Sequence, residues 1–177
     1  MLTISIETSP TLAHWQHDML ANEGKLNVAA VRALNKTARW VRTRVSSRTA
    51  HSLKIKTGLV RSDMFVVRAG VSRPVVKVAL KSTAGVIPAK ELGTVSQNAQ
   101  GVGVGKRQFD RAFIASMPNG HRGVFRRRSS SRLPIQPVQI VITGKMHEIM
   151  ETLSEGPLME QFERIFAREI RYVMRSK

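Results

Sequence analysis

The chain has 177 residues, 42% of them hydrophobic, enough for one ordinary domain with a real core and too apolar for a disordered chain. It has no cysteine, which excludes disulfide staples and thiolate chemistry and fits a cytosolic assembly route. The net charge of +17 is unevenly placed: residues 1–24 hold three acids and no Lys or Arg, residues 25–135 hold 23 bases against three acids, and residues 136–177 hold six of each.

Taken in chain order, Leu2, Ile4 and Ile6 alternate with polar residues and predict a short strand. Thr8, Ser9 and Pro10 break it and can cap a helix over residues 11–22, which Glu23 and Gly24 end. From Leu26 a longer helix is expected, because Val31, Leu34, Ala38, Val41 and Val45 recur at spacings of three and four. Arg32, Lys36 and Arg39 project from its opposite face, with Arg42 and Arg44 on the flanks. That face suits phosphate or an acidic partner; the plainer reading is a solvated helix surface.

Residues 52–62 are polar, broken by Gly58, and have room for one helical turn before the strands begin. Residues 64–68 and 74–80 are β-rich runs separated by a Gly-containing turn, an antiparallel hairpin. Residues 82–105 are rich in Gly, Ala, Ser and Gln and read as a long loop that folds only against a neighbouring subunit. Its GVGVG run lacks the Lys-Ser/Thr and strand-to-helix context of a phosphate loop, so a flexible turn or an edge strand is expected instead.

Residues 109–116 and 121–128 form a second expected hairpin, with Pro118, Asn119 and Gly120 as its turn. Residues 126–132 read as a basic polar loop, residues 133–137 as extended, and residues 138–142 as another short apolar run. A small helix is expected over residues 146–153. A longer one starts near Pro157 and buries Leu158, Phe162, Ile165, Phe166, Ile170 and Val173. Glu160 and Glu163 come early in it and Arg171, Arg175 and Lys177 late, as the helix dipole favours. The sum is an α/β chain of the α+β kind: one domain over residues 1–177, with a small, mostly antiparallel sheet packed by a long N-terminal and a C-terminal helix. Residues 1–24 extend it as an arm, and residues 82–105 supply an interaction loop.

The basic excess in the middle of the chain predicts attraction to a polyanion, either nucleic acid or an acidic protein surface. A surface that only confers solubility is the rival. No basic cluster or long apolar run opens the sequence, so no signal peptide is expected, and no window reaches the roughly 20 apolar residues of a membrane span.

Catalytic constellations are lacking. His14 and His17 stand three apart beside Asp18, but without an HExxH pattern or a downstream cluster, and they serve equally to cover a subunit surface. Asp18, Asp63 and Asp110 are isolated acids in a basic chain and read as salt-bridge partners rather than general bases. A magnesium-dependent nuclease needs convergent carboxylates, and no Gly-x-Ser-x-Gly elbow is present. With one Tyr and two Trp there is little for base stacking, so any nucleic-acid contact is expected to be with phosphates and independent of sequence. The expectation is no enzyme, no metal and no cofactor.

The stretch AFIASMPNGHRGVFRR at residues 112–127, followed by SRLPI at residues 131–135, resembles the minor tail protein Z family of long-tailed phages and prophages. Its core is Phe113, Met117, Pro118, Asn119, Gly120, His121, Arg122, Gly123, Val124 and Phe125. ALNKTA at residues 33–38 is similar to part of that family's first long helix, and the likeness runs loosely from about residue 26 to the C-terminus. The resemblance implies an α/β fold and a virion protein of the tail or neck, assembled in the host cytoplasm. It also implies a ring, usually sixfold, that completes the tail, joins it to the head and brings no catalytic residues. The partners implied are further copies of the chain, the tail terminator or tail tube, head–tail connector proteins, and genomic duplex DNA in the channel.

A ring subunit needs two complementary faces, for which residues 82–105 and the N-terminal strand are the candidates. A conduit that must release DNA cannot turn all its charge inward. Arg126, Arg127, Arg128 and Arg132 are therefore the candidates to meet DNA, while Arg32, Lys36 and Arg39 suit acidic neighbours. The rival function is a sequence-independent duplex-DNA-binding protein acting alone, which predicts salt-sensitive binding by the monomer.

Overall fold

The computed structural model of the chain describes residues 3–6, 23–81, 85–118, 120 and 122–175. The helix expected over residues 11–22 lies outside the described residues, as do His14, His17, Asp18, Asn119, His121 and Lys177.

Strand β1 (Thr3–Ile6) is followed by α1 (Glu23–Ser52), a 30-residue helix about which the rest is arranged. Its buried face is wider than the five-residue stripe the spacing marks. It comprises Ala29, Ala30, Ala33, Leu34, Thr37, Ala38, Val41, Val45, Ser46, Thr49 and Ala50, while Val31 is only half-buried. The additions are all Ala, Ser or Thr. Such side chains lie under a neighbouring element because they are small, and hydropathy does not mark them. Full burial of Leu34 alone contributes about 2 kcal/mol.

The short helix α2 (Thr57–Asp63) follows, then the hairpin β2 (Met64–Val67) and β3 (Val76–Leu80) at the expected place. β3 is the middle strand of an antiparallel sheet ordered β1–β3–β2, with Ile6 opposite Val76 and Val67 opposite Lys77. The N-terminal strand therefore pairs with its own chain. Asn35 on α1 clamps the hairpin: its Nδ2 donates to the Ala69 carbonyl at 3.0 Å and to the Val31 carbonyl at 2.9 Å, and the Ala69 N–H donates to its Oδ1 at 3.0 Å.

Residues 82–105 correct the sequence reading. They hold β4 (Val86–Pro88), a 3-10 turn (Ala89–Leu92), β5 (Val95–Asn98) and β6 (Gly101–Val104). The GVGVG run is neither a flexible turn nor an edge: β6 is the central strand of β5–β6–β7, with β7 spanning Arg107–Asp110. Val102 and Val104 are fully buried there. The intervening glycines allow close approach, since a Cβ on Gly101 (φ 153°) would run into the Phe109 carbonyl oxygen. Composition hid this strand because the small residues that let backbones come close also dominate loops.

The second expected hairpin is β8 (Ala112–Ser116) and β9 (Arg122–Arg127). Phe109 and Asp110 belong instead to β7, and the break falls at Arg111, where φ is 57°. β10 (Ile135–Pro137) joins the other side of β9, and β11 (Gln139–Val141) pairs with β4. Two helices end the chain, α3 (Thr143–Ser154) and α4 (Pro157–Arg175). The fold is α+β, with the strands of the described residues in four small antiparallel sheets rather than one.

Two apolar clusters underlie this arrangement. The larger gathers α1, β2, β3, α3 and α4; the smaller holds Ala89, Val102, Val104, Ala112 and Val124. Leu92 packs against both, and the Arg107 guanidinium donates to the Leu53 carbonyl just past the end of α1. No helix among the described residues is long and apolar enough to cross a membrane.

Candidate functional site

The β8–β9 hairpin sorts the family-like stretch by strand alternation. Ala112 and Ile114 share one face with Val124 and pack on the smaller cluster. Phe113 and Phe125, opposite one another, occupy the other face with ring centroids 6.4 Å apart. The Arg127 guanidinium sits over the Phe113 ring at 5.8 Å. At the tip the Gly120 N–H donates to the Met117 carbonyl at 2.9 Å, and Gly120 takes φ 77°, a conformation that glycine adopts without strain. Lys90, on the 3-10 turn, reaches the Arg122 carbonyl at 3.4 Å.

The four arginines proposed to meet DNA are all exposed, but they do not form one loop. Arg126 and Arg127 lie inside β9, the central strand of β10–β9–β8, opposite Gln136 and Ile135. Being consecutive in a strand, they point to opposite faces. Only Arg128 and Arg132 belong to the bend, where the Arg128 N–H donates to the Pro134 carbonyl at 3.2 Å. None of the four makes an ion pair among the described residues.

The α1 cations serve different ends. Lys36 is joined to Glu169 of α4 at 2.5 Å. Arg32 lies over the Tyr172 ring at 5.6 Å. Arg39 is exposed and lines a cleft beside β2. No hydrogen bond, ion pair or ring contact among the described residues links these three to the hairpin arginines.

Glu169 and Asn35 are the polar residues that a hydropathy reading misses. Glu169 falls four after Ile165, three after Phe166 and four before Val173, so its position on the apolar stripe of α4 announces a buried partner. Asn35 is a poor helix former in mid-helix, a sign that its amide is engaged elsewhere.

Asp110, expected as a salt-bridge partner, makes no ion pair among the described residues; it is the exposed last residue of β7. His147 lies 3.0 Å from Glu151, both exposed. Among the described residues no three His, Cys, Asp or Glu side chains converge as a metal site requires.

The chain is thus a helix-and-hairpin α+β protein with exposed arginines that make no ion pair among the described residues. The chain belongs to the prophage minor tail protein Z family, whose model matches residues 21–177, and it is a structural component of the phage tail. It is similar to the tail completion protein of Escherichia phage N15, 25% identical over 161 residues that cover 82% of this chain and 86% of that protein. No solved structure gives a significant match.

Proposed function

We propose that the chain completes the tail at the end that meets the head, as one subunit of an oligomeric ring around the DNA channel, and that it works by docking rather than turnover. The observation that carries this reading is the exposed set of Arg126 and Arg127 on the sheet that holds the family-like hairpin and Arg128 and Arg132 in the bend after it, without ion-pair partners among the described residues. Family membership and the likeness to a tail completion protein support it. The chain is then a virion protein, with copies of itself, tail tube or terminator, and connector proteins as neighbours.

A ring explains the uneven charge. Duplex DNA carries about one negative charge per 1.7 Å of axis, so a lumen bearing every cation of every subunit would hold it too tightly to release. Part of the charge faces DNA, and the rest faces acidic rings above or below.

The test is particle assembly with and without the chain, read by electron microscopy, with the mass of the purified chain measured alone and on tail tubes. Unjoined heads and tails in its absence, restored when it is supplied, and a ring-sized mass on tubes are expected. A chain that stays monomeric on tubes and binds duplex DNA tightly with steep salt dependence belongs instead to the lone DNA-binding reading.

A further inference from the structure

Beside the main core, α1 and the edge of β2 enclose a cleft of about 300 Å³ with a distinct chemistry. Four cations line it: Arg39 and Arg42 from α1, Arg68 just past β2, and Lys81 just past β3. No Asp or Glu is among its lining residues, and none of the four makes an ion pair among the described residues. The Arg42 Nε is buried with no hydrogen-bond partner among the described residues, although its Nη2 donates to the Arg61 carbonyl at 2.8 Å. Residues 64–66 of β2 line its floor, where the half-buried Phe65 is the apolar side chain that lies outside the main core.

The floor is also an open strand edge. In the order β1–β3–β2, β2 has no strand on its outer side among the described residues. The Lys81 N–H donates to the Asp63 carbonyl, which sets the parity of the ladder: Phe65 and Val67 bond toward β3, and Val66 turns its N–H and C=O outward. The Met64 N–H, on the same parity as Val66, is already taken by the Arg61 carbonyl.

We propose that this cleft is the docking site for an extended acidic segment of a neighbouring virion protein, added as a strand along β2 with its carboxylates held by Arg39, Arg68 and Lys81. Each part of the cleft has a counterpart in such a segment. The outward Val66 N–H and C=O, without a strand partner among the described residues, take main-chain hydrogen bonds, the Phe65 side chain takes an apolar residue, and the cationic groups take carboxylates. Duplex DNA fits less well, because its phosphates lie on the outside of a wide polar cylinder with nothing apolar to set on this floor. The proposal deepens the reading of the chain as a docking subunit and rests on it.

The test uses the full chain and labelled ten-residue peptides of alternating Glu and Val, with a Lys–Val peptide, an N-methylated Glu–Val peptide and a duplex oligonucleotide as comparisons, read by fluorescence anisotropy. The Glu–Val peptide is expected to bind, to weaken with salt and to lose at least tenfold in affinity in an R39S/R68S/K81S variant, while R126S/R127S leaves it unchanged. The N-methylated peptide, which has lost the N–H donors that would reach the Val66 carbonyl and carries methyl groups along the pairing edge, is expected to lose a similar factor without any change to the protein. Equal binding of the Glu–Val and N-methylated peptides overturns the strand-addition geometry. No peptide binding, or duplex binding that the R39S/R68S/K81S variant alone abolishes, overturns the acidic-segment proposal. Since no particle takes part, such results leave the tail-completion reading to its own assembly experiment.

Discussion

The Lys36 ammonium lies 2.5 Å from the Glu169 carboxylate, and this pair joins α1 to α4 across the edge of the main core. The Glu169 side chain is 6% exposed and that of Lys36 46% exposed, so the carboxylate depends on the lysine far more than the reverse. A residue expected to face a partner is thus engaged in holding two helices together. Lys36→Ala is expected to cost about 1–3 kcal/mol, because it leaves a buried carboxylate uncompensated. Lys36→Met combined with Glu169→Leu should recover most of that loss in urea unfolding. An unaltered unfolding midpoint in Lys36→Ala would return the lysine to the partner-facing set.

Asn35 closes the same helix onto the β2–β3 hairpin through two hydrogen bonds, both with the backbone of the buried Ala69, while a third ties its amide to the Val31 carbonyl within the helix. Asn35→Ala orphans both backbone groups of Ala69 and is expected to destabilise by about 1–3 kcal/mol. Amide exchange should accelerate at Ala69 and leave the β8–β9 hairpin as it was. Uniform acceleration across both would mean that the clamp is not local.

Gly101 sits where a Cβ meets the Phe109 carbonyl oxygen and φ is 153°. Gly101→Ala is expected to lower stability by about 1–3 kcal/mol. Gly58, in α2 with open space where its Cβ would be, is the control: Gly58→Ala should be neutral or stabilising by roughly 0.5–1 kcal/mol. Thermal unfolding of the two variants separates them, and equal melting temperatures would contradict the packing described for β6.

Neutralising Arg126, Arg127, Arg128 and Arg132 together is expected to leave folding stability within about 0.5 kcal/mol, since all four are exposed. DNA retention in assembled particles should fall. Unchanged retention would count against DNA contact by these arginines.

The elements built on large apolar residues were legible without coordinates. The α4 stripe, the β2–β3 hairpin and the β8–β9 hairpin stand out because Leu, Ile, Val and Phe alternate at the right period. Residues 82–105 were not legible, because β6 is made by Val102 and Val104 between glycines whose value lies in the absence of a side chain. The alanines of α1 escaped for the same reason. For the surfaces, the sequence identified which residues are cationic but not how they are deployed. Lys36 answers to Glu169, 133 positions later, Arg127 turns away from Arg126 by strand alternation, and Arg39 and Arg68 come together only through the packing of β2 beside α1.

One dimension of the molecule bears on how it meets its neighbours. At about 1.5 Å per residue, the 30 residues of α1 run about 45 Å. Such a rod cannot shorten without breaking its own hydrogen bonds, so its two ends keep a fixed separation whatever the loops do. The beginning near Lys25 and the far end, where Arg107 meets Leu53, therefore move as one body. A neighbour that tilts one end tilts the other, and a protein built this way passes on a change of angle rather than absorbing it.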